Sequence, residues 1–236
     1  MRHPIRWLVV LAVLAALVVG LDRLAAHVAA GRIATAVQTD AHLAHKPKVD
    51  VHGFPFLTQA VGGKYNRIEV TAADVFDSLG SSLTTVNFEG VHISASNALD
   101  GKVGQIPVDH VTGSVRVSFS DVEAASHIPG VKVQPVAGQP DELEVGESVD
   151  VAGLSVAASV IAHVSASGNT ITLKATDVRL PAGAPVPSGV LDQIRSHAGF
   201  SVTVPGLPTG VRLTGVTVGA DGVTATLRAD DIVLTH

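Results

Sequence analysis

The spacing of apolar and polar positions changes period once along the chain, near Lys48. Before it, "MRHPIRWLVVLAVLAALVVGLDRLAAHVAAGRIATAVQ" holds an unbroken apolar run from Trp7 to Leu21, closed by Asp22 and Arg23. The run is longer than a typical signal-peptide core and shorter than the roughly 20 residues of a full bilayer span. Arg2 and Arg6 precede it, which places the N-terminus in the cytoplasm and exports the remainder of the chain. Leu21, Leu24, Ala25, Val28, Ile33 and Val37 then recur at spacings of three and four, with Arg23, Arg32 and Asp40 mostly elsewhere on the wheel. The spacing predicts one helix that leaves the membrane and continues, amphipathic, to about Ala44, packed on its own domain. Residues 1–21 read as a transmembrane anchor. The alternative is a signal segment cut at the small residues Val28-Ala29-Ala30.

From Lys48 onward the period is two. In "HVTGSVRVSFSD", Val111, Val115, Val117 and Phe119 share one face, and His110, Thr112, Ser114, Arg116, Ser118 and Ser120 the other. Similar alternation runs through Ile68, Val70 and Ala72, through Ile171, Leu173 and Ala175, and through Val223, Ala225 and Leu227. "TTVNFEGVHISA" changes parity at Gly90, which predicts a bulge or bend. Gly168-Asn169 and Asp221-Gly222 suit tight hairpin loops, and Pro187-Ser188 could open a short helix, "GVLDQIRSH". About ten strands follow from this pattern. No linker divides them, so residues 22–236 read as a single exported α+β domain.

Composition sharpens the picture. Of 236 residues 46% are hydrophobic and only 16% charged, against a usual charged share of about 25%. The mean hydropathy of +0.39 is high for a soluble domain, and the N-terminal run explains it only in part. The net charge of −5 argues against nucleic acid as a partner, which calls for a basic stripe. With no cysteine, disulfides, thiolate nucleophiles and Cys-ligated metals are excluded. The apolar strand faces are mostly Val and Ala. Such faces can pack plainly against a helix, or line a space that a ligand fills.

One stretch, "VHGFPFLTQAVGGKYNRIEV", gathers two of the six phenylalanines around a proline, directly after a glycine. Gly53 permits a backbone bend that a side chain would obstruct, and Pro55 fixes φ just beyond it. Phe54 and Phe56 could then send one ring to the core and the other to a cavity rim, or could merely brace the corner. The residues Gly53, Phe54, Pro55, Phe56, Leu57, Thr58 and Gln59, with Gly63, Tyr65, Ile68 and Val70 after them, resemble the LmeA-like family of actinobacterial cell-envelope phospholipid-binding proteins. The C-terminal "LPTGVRLTGVTVGADGVTATLRADDIVL" is similar to that family's ending, a Leu-Pro-x-Gly turn before two strands, with Thr209 where Phe is more usual. The resemblance covers nearly the whole chain. It implies a tubular lipid-binding fold, in which a strongly curved antiparallel sheet wraps around the amphipathic helix and leaves an apolar pocket between them. On that reading Phe54, Phe56, Leu57, Phe88, Val115, Val117, Phe119 and Leu213 contact lipid, while Gly53, Pro55, Gly63, Tyr65, Pro208 and Gly210 shape the backbone. The implied partners are phospholipid and the plasma membrane, and no cofactor is expected.

Candidate chemistry is sparse. There is no His-Glu-x-x-His, Gly-x-Ser-x-Gly, dinucleotide-binding or Walker motif. His42 and His45 have helical metal spacing but fall at a helix end. Asp230 and Asp231 are adjacent in a strand and point to opposite faces without a bend. Ser118, Ser120 and Asp121, with His110 or His127, are the best material for a hydrolytic triad, a constellation recognised by geometry rather than order. The reading is therefore a membrane-tethered, non-enzymatic envelope protein that holds phospholipid acyl chains and carries lipid in envelope biogenesis. A lipid-ester hydrolase and a non-catalytic scaffold are the alternatives. A reporter fused after His236 is expected to be active outside the plasma membrane; activity confined to the cytoplasm would overturn this topology.

Overall fold

The computed structural model describes residues 3–73, 82–94, 105–125, 130–151, 154–179, 200–203 and 209–235. Helix α1 (His3–Asp40) is 38 residues long, about 57 Å at 1.5 Å per residue and roughly twice the hydrocarbon thickness of a bilayer. It stops four residues before the expected Ala44. His42 takes φ +53°, and the N–H groups of His42 and Leu43 donate to the carbonyls of Thr39 and Gln38. That pairing is a Schellman cap, with histidine in the left-handed position usually held by glycine.

Strand β1 (Lys48–His52), helix α2 (Phe56–Gly62) and strands β2 (Lys64–Ala73), β3 (Leu83–His92) and β4 (Gln105–Ser118) come next. Helix α3 (Phe119–Ala125) leads to β5 (Lys132–Pro135), β6 (Glu142–Val151), β7 (Leu154–Ser167), β8 (Thr170–Arg179) and β9 (Phe200–Thr203). The chain closes with β10 (Arg212–Val218) and β11 (Gly222–Thr235). The protein is α+β, with a long apolar N-terminal helix and antiparallel sheets. One sheet has the order β1-β2-β3-β4-β11-β10 and the other β5-β6-β7-β8-β9; both are open. Both expected hairpins form, β7 with β8 around Gly168-Asn169 and β10 with β11 at Asp221-Gly222. The stretch around Pro187 lies outside the described residues.

Two compact units emerge from the contacts: residues 1–72, 86–111 and 230–236, and residues 73–85 and 112–229. In the first, α1 packs against β1 and α2. The β1–β2 register sets Val49 opposite Val70 and Val51 opposite Ile68. Alternation therefore gives this ribbon one apolar face. The other face carries Lys48 bridged to Asp50 (2.7 Å) and His52 beside Glu69 (3.5 Å). The parity change in β3 is real. Gly90 has φ +64°, and a Cβ there would run into the Asp109 carboxylate. That carboxylate accepts from Lys64 (2.9 Å) and meets His92 Nε2 (2.8 Å), which together hold it below its ordinary pKa.

In the second unit, Val133, Leu143, Ala162, Val164 and Val218 form a core. Phe119, Val122, Val145, Ile171, Leu173, Val216 and Val223 pack around it. Alternation puts Phe119 at the end of a strand. It opens α3 instead, its N–H donating to the Asp221 carbonyl (3.3 Å). Glu123 on α3 accepts the Val133 N–H (2.8 Å) and the Lys132 ammonium (3.1 Å), and these bonds lower its pKa from the ordinary 4.5 against the opposing effect of burial. A depressed carboxyl pKa contributes stability above the unfolded value, and that contribution disappears as pH falls through the folded value. Glu123→Gln should therefore lower the melting temperature at pH 7, and the gap to the parent should narrow below about pH 4.5. Thermal melts across pH 3–7 check this, and a constant gap would refute it.

Candidate functional site

The Val51–Leu57 corner is built from backbone constraints. Gly53 sits at φ +103°, and a Cβ there would fall 2.5 Å from Gln59 Nε2. Gln59 is not free to yield, because its Oε1 accepts the Asn66 N–H (2.8 Å). The Phe54–Pro55 peptide bond is cis, and Pro55 precedes the first turn of α2 in an extended conformation. Proline has no side-chain acceptor to satisfy that turn. The acceptor arrives from α1: Asp22 Oδ1 takes the Leu57 N–H at 2.9 Å. Asp22 is 1% exposed, and its other oxygen binds the Arg23 guanidinium at 2.6 Å. Arg23 also donates to the Gly53 carbonyl (2.8 Å) and lies 5.3 Å from the centre of the Phe54 ring. Gly63 ends α2 at φ +68°, its N–H returning to the Ala60 carbonyl (3.3 Å).

The two rings of the corner part company. Phe56 is buried against Tyr65, ring centres 6.0 Å apart, and burial raises the Tyr65 pKa. Phe54 is 60% exposed beneath Arg23.

Above this corner, within the first unit, lies a cavity of about 770 Å³, near the upper end of small-molecule sites. Helix α1 walls one side with Leu21, Leu24, Ala25, Val28, Ala29, Arg32, Ile33 and Val37. Helix α2 contributes Phe56, Leu57 and Ala60. The strands add Val51, Tyr65, Ile68, Val70, Phe88, Val91 and Ile106, with Ile93 and Leu234. Arg32 is the one charged side chain among these. The expected lipid contacts Phe56, Leu57 and Phe88 meet here, and Tyr65 with them. Val115, Val117, Phe119 and Leu213 belong to the second unit and are not in this lining. Phe119 packs on that unit's core, and Leu213 is buried, its N–H on the Gly168 carbonyl (2.6 Å). Gly210 takes φ +92° as a turn residue, and Pro208 lies outside the described residues.

The α1 wall is visible in the sequence as a 3–4 repeat, but the spacing alone assigns that repeat to the face packed on the domain. The packed row is its neighbour: Asp22, Ala26, Ala30 and Ala34 are the buried positions. Small side chains let the helix backbone approach closely, and the larger Leu21, Leu24 and Val28 stay 61%, 60% and 49% exposed along the cavity. Arg32, expected off the apolar face, stands on it.

The polar candidates are engaged otherwise. Ser118 Oγ donates to Asp121 and accepts the Asp121 N–H (3.2 Å), the geometry of a helix-start cap for α3. His110 pairs with Asp230 (2.8 Å), and His127 lies outside the described residues. Asp231 at φ +50° supplies the bend that adjacent carboxylates would need. Even so, no group of three His, Asp or Glu able to hold a metal occurs among the described residues.

Gly53→Ala should lose on the order of 1–3 kcal/mol of stability, the usual cost of forcing a side chain into such backbone. Denaturant unfolding of the full chain checks this; an unchanged midpoint would show that the corner relaxes freely.

No curated protein and no solved structure matches the chain. The family model described as LmeA-like phospholipid-binding matches residues 20–228. That span takes in α1 from residue 20 onward, the corner, every described cavity residue but Leu234, and most of the second unit. With the apolar cavity it contains, the chain belongs to the LmeA-like phospholipid-binding family.

Proposed function

We propose that the protein is tethered in the plasma membrane by the first half of α1, and holds phospholipid acyl chains in the first unit's cavity on the extracytoplasmic side. In this role it carries lipid during envelope biogenesis. The observation that carries the proposal is the cavity itself: about 770 Å³ walled by apolar side chains, in a member of a phospholipid-binding family. Each CH₂ moved from water into such a site is worth about 0.8 kcal/mol, so an acyl chain supplies affinity without a charged clamp.

The tether reading rests on exposure. Trp7, Leu8, Leu11, Leu14, Leu17 and Val18 are each more than half exposed, and α1 is long and apolar enough to cross a membrane. A helix buried in a soluble core would hide these side chains. The exposed corner residues Phe54, Leu57 and Val61 gather where Asp22 ties the corner to the end of the apolar run. They offer lipid a route from the bilayer that never crosses water. A strongly curved sheet wrapped around α1, as in tubular lipid-binding folds, is part of the same proposal, supported by the packing of α1 on β1.

Mass spectrometry of an organic extract of the purified protein should find bound phospholipid. Leu57, 45% exposed in the lining, and Phe56, 6% exposed, separate site from scaffold. Leu57→Ala should melt near the parent temperature and retain less lipid. Phe56→Ala should cost about 3–5 kcal/mol, as for a core phenylalanine. Lipid retention unchanged in a folded Leu57→Ala would remove the corner from the site. Time-dependent release of fatty acid would replace the carrier reading with a hydrolase.

A further inference from the structure

Along α1, Leu21, Ala25, Val28 and Arg32 succeed one another at spacings of four, three and four, which sets them in one row on the helix. All four line the cavity. The row is apolar for three positions and ends on a guanidinium. No acidic residue lies within four positions of Arg32 on the helix, and among the described residues none lines the cavity and Arg32 has no ion-pair partner. Arg23, one wall position away from Leu24, is the contrast. Its charge is met by Asp22, and it also donates to the Gly53 carbonyl.

We propose that Arg32 is the phosphate-binding residue of the cavity, and that a bound phospholipid lies along α1 with its phosphodiester at Arg32 and its chains toward Leu21. This rests on the lipid-holding role proposed above. An arginine fork matches the two non-bridging oxygens of a phosphodiester, while its methylene stem lies on the apolar wall. Distance agrees as well. Leu21 and Arg32 are eleven residues apart, about 16 Å of helix, close to the ~15 Å depth of one hydrocarbon leaflet. A phospholipid lifted out of the outer leaflet beside α1 by its own chain length, without turning over, brings its phosphate to the level of Arg32. Its chains then occupy the row from Leu21 to Val28.

The test uses the full chain in phosphatidylcholine nanodiscs with two photoactivatable probes. One is phosphatidylglycerol carrying a diazirine in an acyl chain; the other is diacylglycerol carrying the same chain and no phosphate. Labelled peptides are mapped by mass spectrometry. In the parent both probes should label the 21–37 segment. Arg32→Ala and Arg32→Glu should reduce phosphatidylglycerol labelling there on the order of tenfold, with diacylglycerol labelling unchanged. Arg32→Lys should retain most of it. Equal phosphatidylglycerol labelling in parent and both charge-removing variants overturns the role of Arg32 and leaves the lipid cavity standing. A parent in which neither probe labels the cavity segments overturns the cavity reading and this inference together. Arg32 is exposed on α1, so matching melting temperatures among the variants separate loss of contact from loss of fold.

Discussion

Asp22 is the residue at which the apolar run of α1 ends, and its carboxylate is almost wholly withdrawn from water. Such a group is tolerated only where hydrogen bonds replace its hydration. Here the Leu57 N–H and the Arg23 guanidinium do so. The same bond satisfies a donor in the first turn of α2 that Pro55 cannot serve. Two otherwise unfavourable features, a buried charge and an uncapped helix start, therefore resolve each other. The geometric result is that the Phe54–Leu57 corner is fixed to one level of α1, at the foot of the cavity.

From that bond upward the first unit is divided by side-chain size. The Ala26, Ala30 and Ala34 row seats the helix, and the adjacent row of larger residues faces open space bounded by Ile68, Val70, Phe88 and Ile106. A dry core of this composition would close by interdigitating large residues with small ones. Here the facing walls are mostly aliphatic, with rings from Phe56, Tyr65 and Phe88, and a volume of about 770 Å³ lies between them. Lys48 with Asp50, and His52 with Glu69, lie in two pairs on the opposite face of the first unit's β1–β2 ribbon.

Much of this is legible in the sequence for identifiable reasons. The Gly-Phe-Pro-Phe corner is informative because each of its residue types restricts the backbone, and the structure puts a cis peptide and a positive-φ glycine there. Gly90 at a parity change is readable because side-chain alternation tolerates no slip. The split of α1 into a packed row and a lining row is not readable. Both rows repeat at three to four residues, and only partners distant in sequence decide which one is covered. Asp22 looks like the polar end of an apolar run, because its partner is 35 residues away. The strand residues Val115, Val117 and Leu213 carry the same alternation as the lining strands, and alternation cannot assign a strand to one unit or the other. Phe119 fits it as well, but the Ser118–Asp121 cap turns the chain into α3.

The continuity of α1 bears on how the protein can be processed. Of Val28-Ala29-Ala30, the small-residue triplet that suits a leader peptidase, Val28 and Ala29 lie in the cavity wall and Ala30 in the packed row. A cut there would take away Leu21, Leu24, Ala25 and Val28, and with them Asp22, leaving the start of α2 without its acceptor. Under the function proposed above, leash and binding wall would be one covalent rod. Lipid held there could travel no farther from the membrane than that rod allows, and a cargo bound for a distant layer would need a second carrier to receive it.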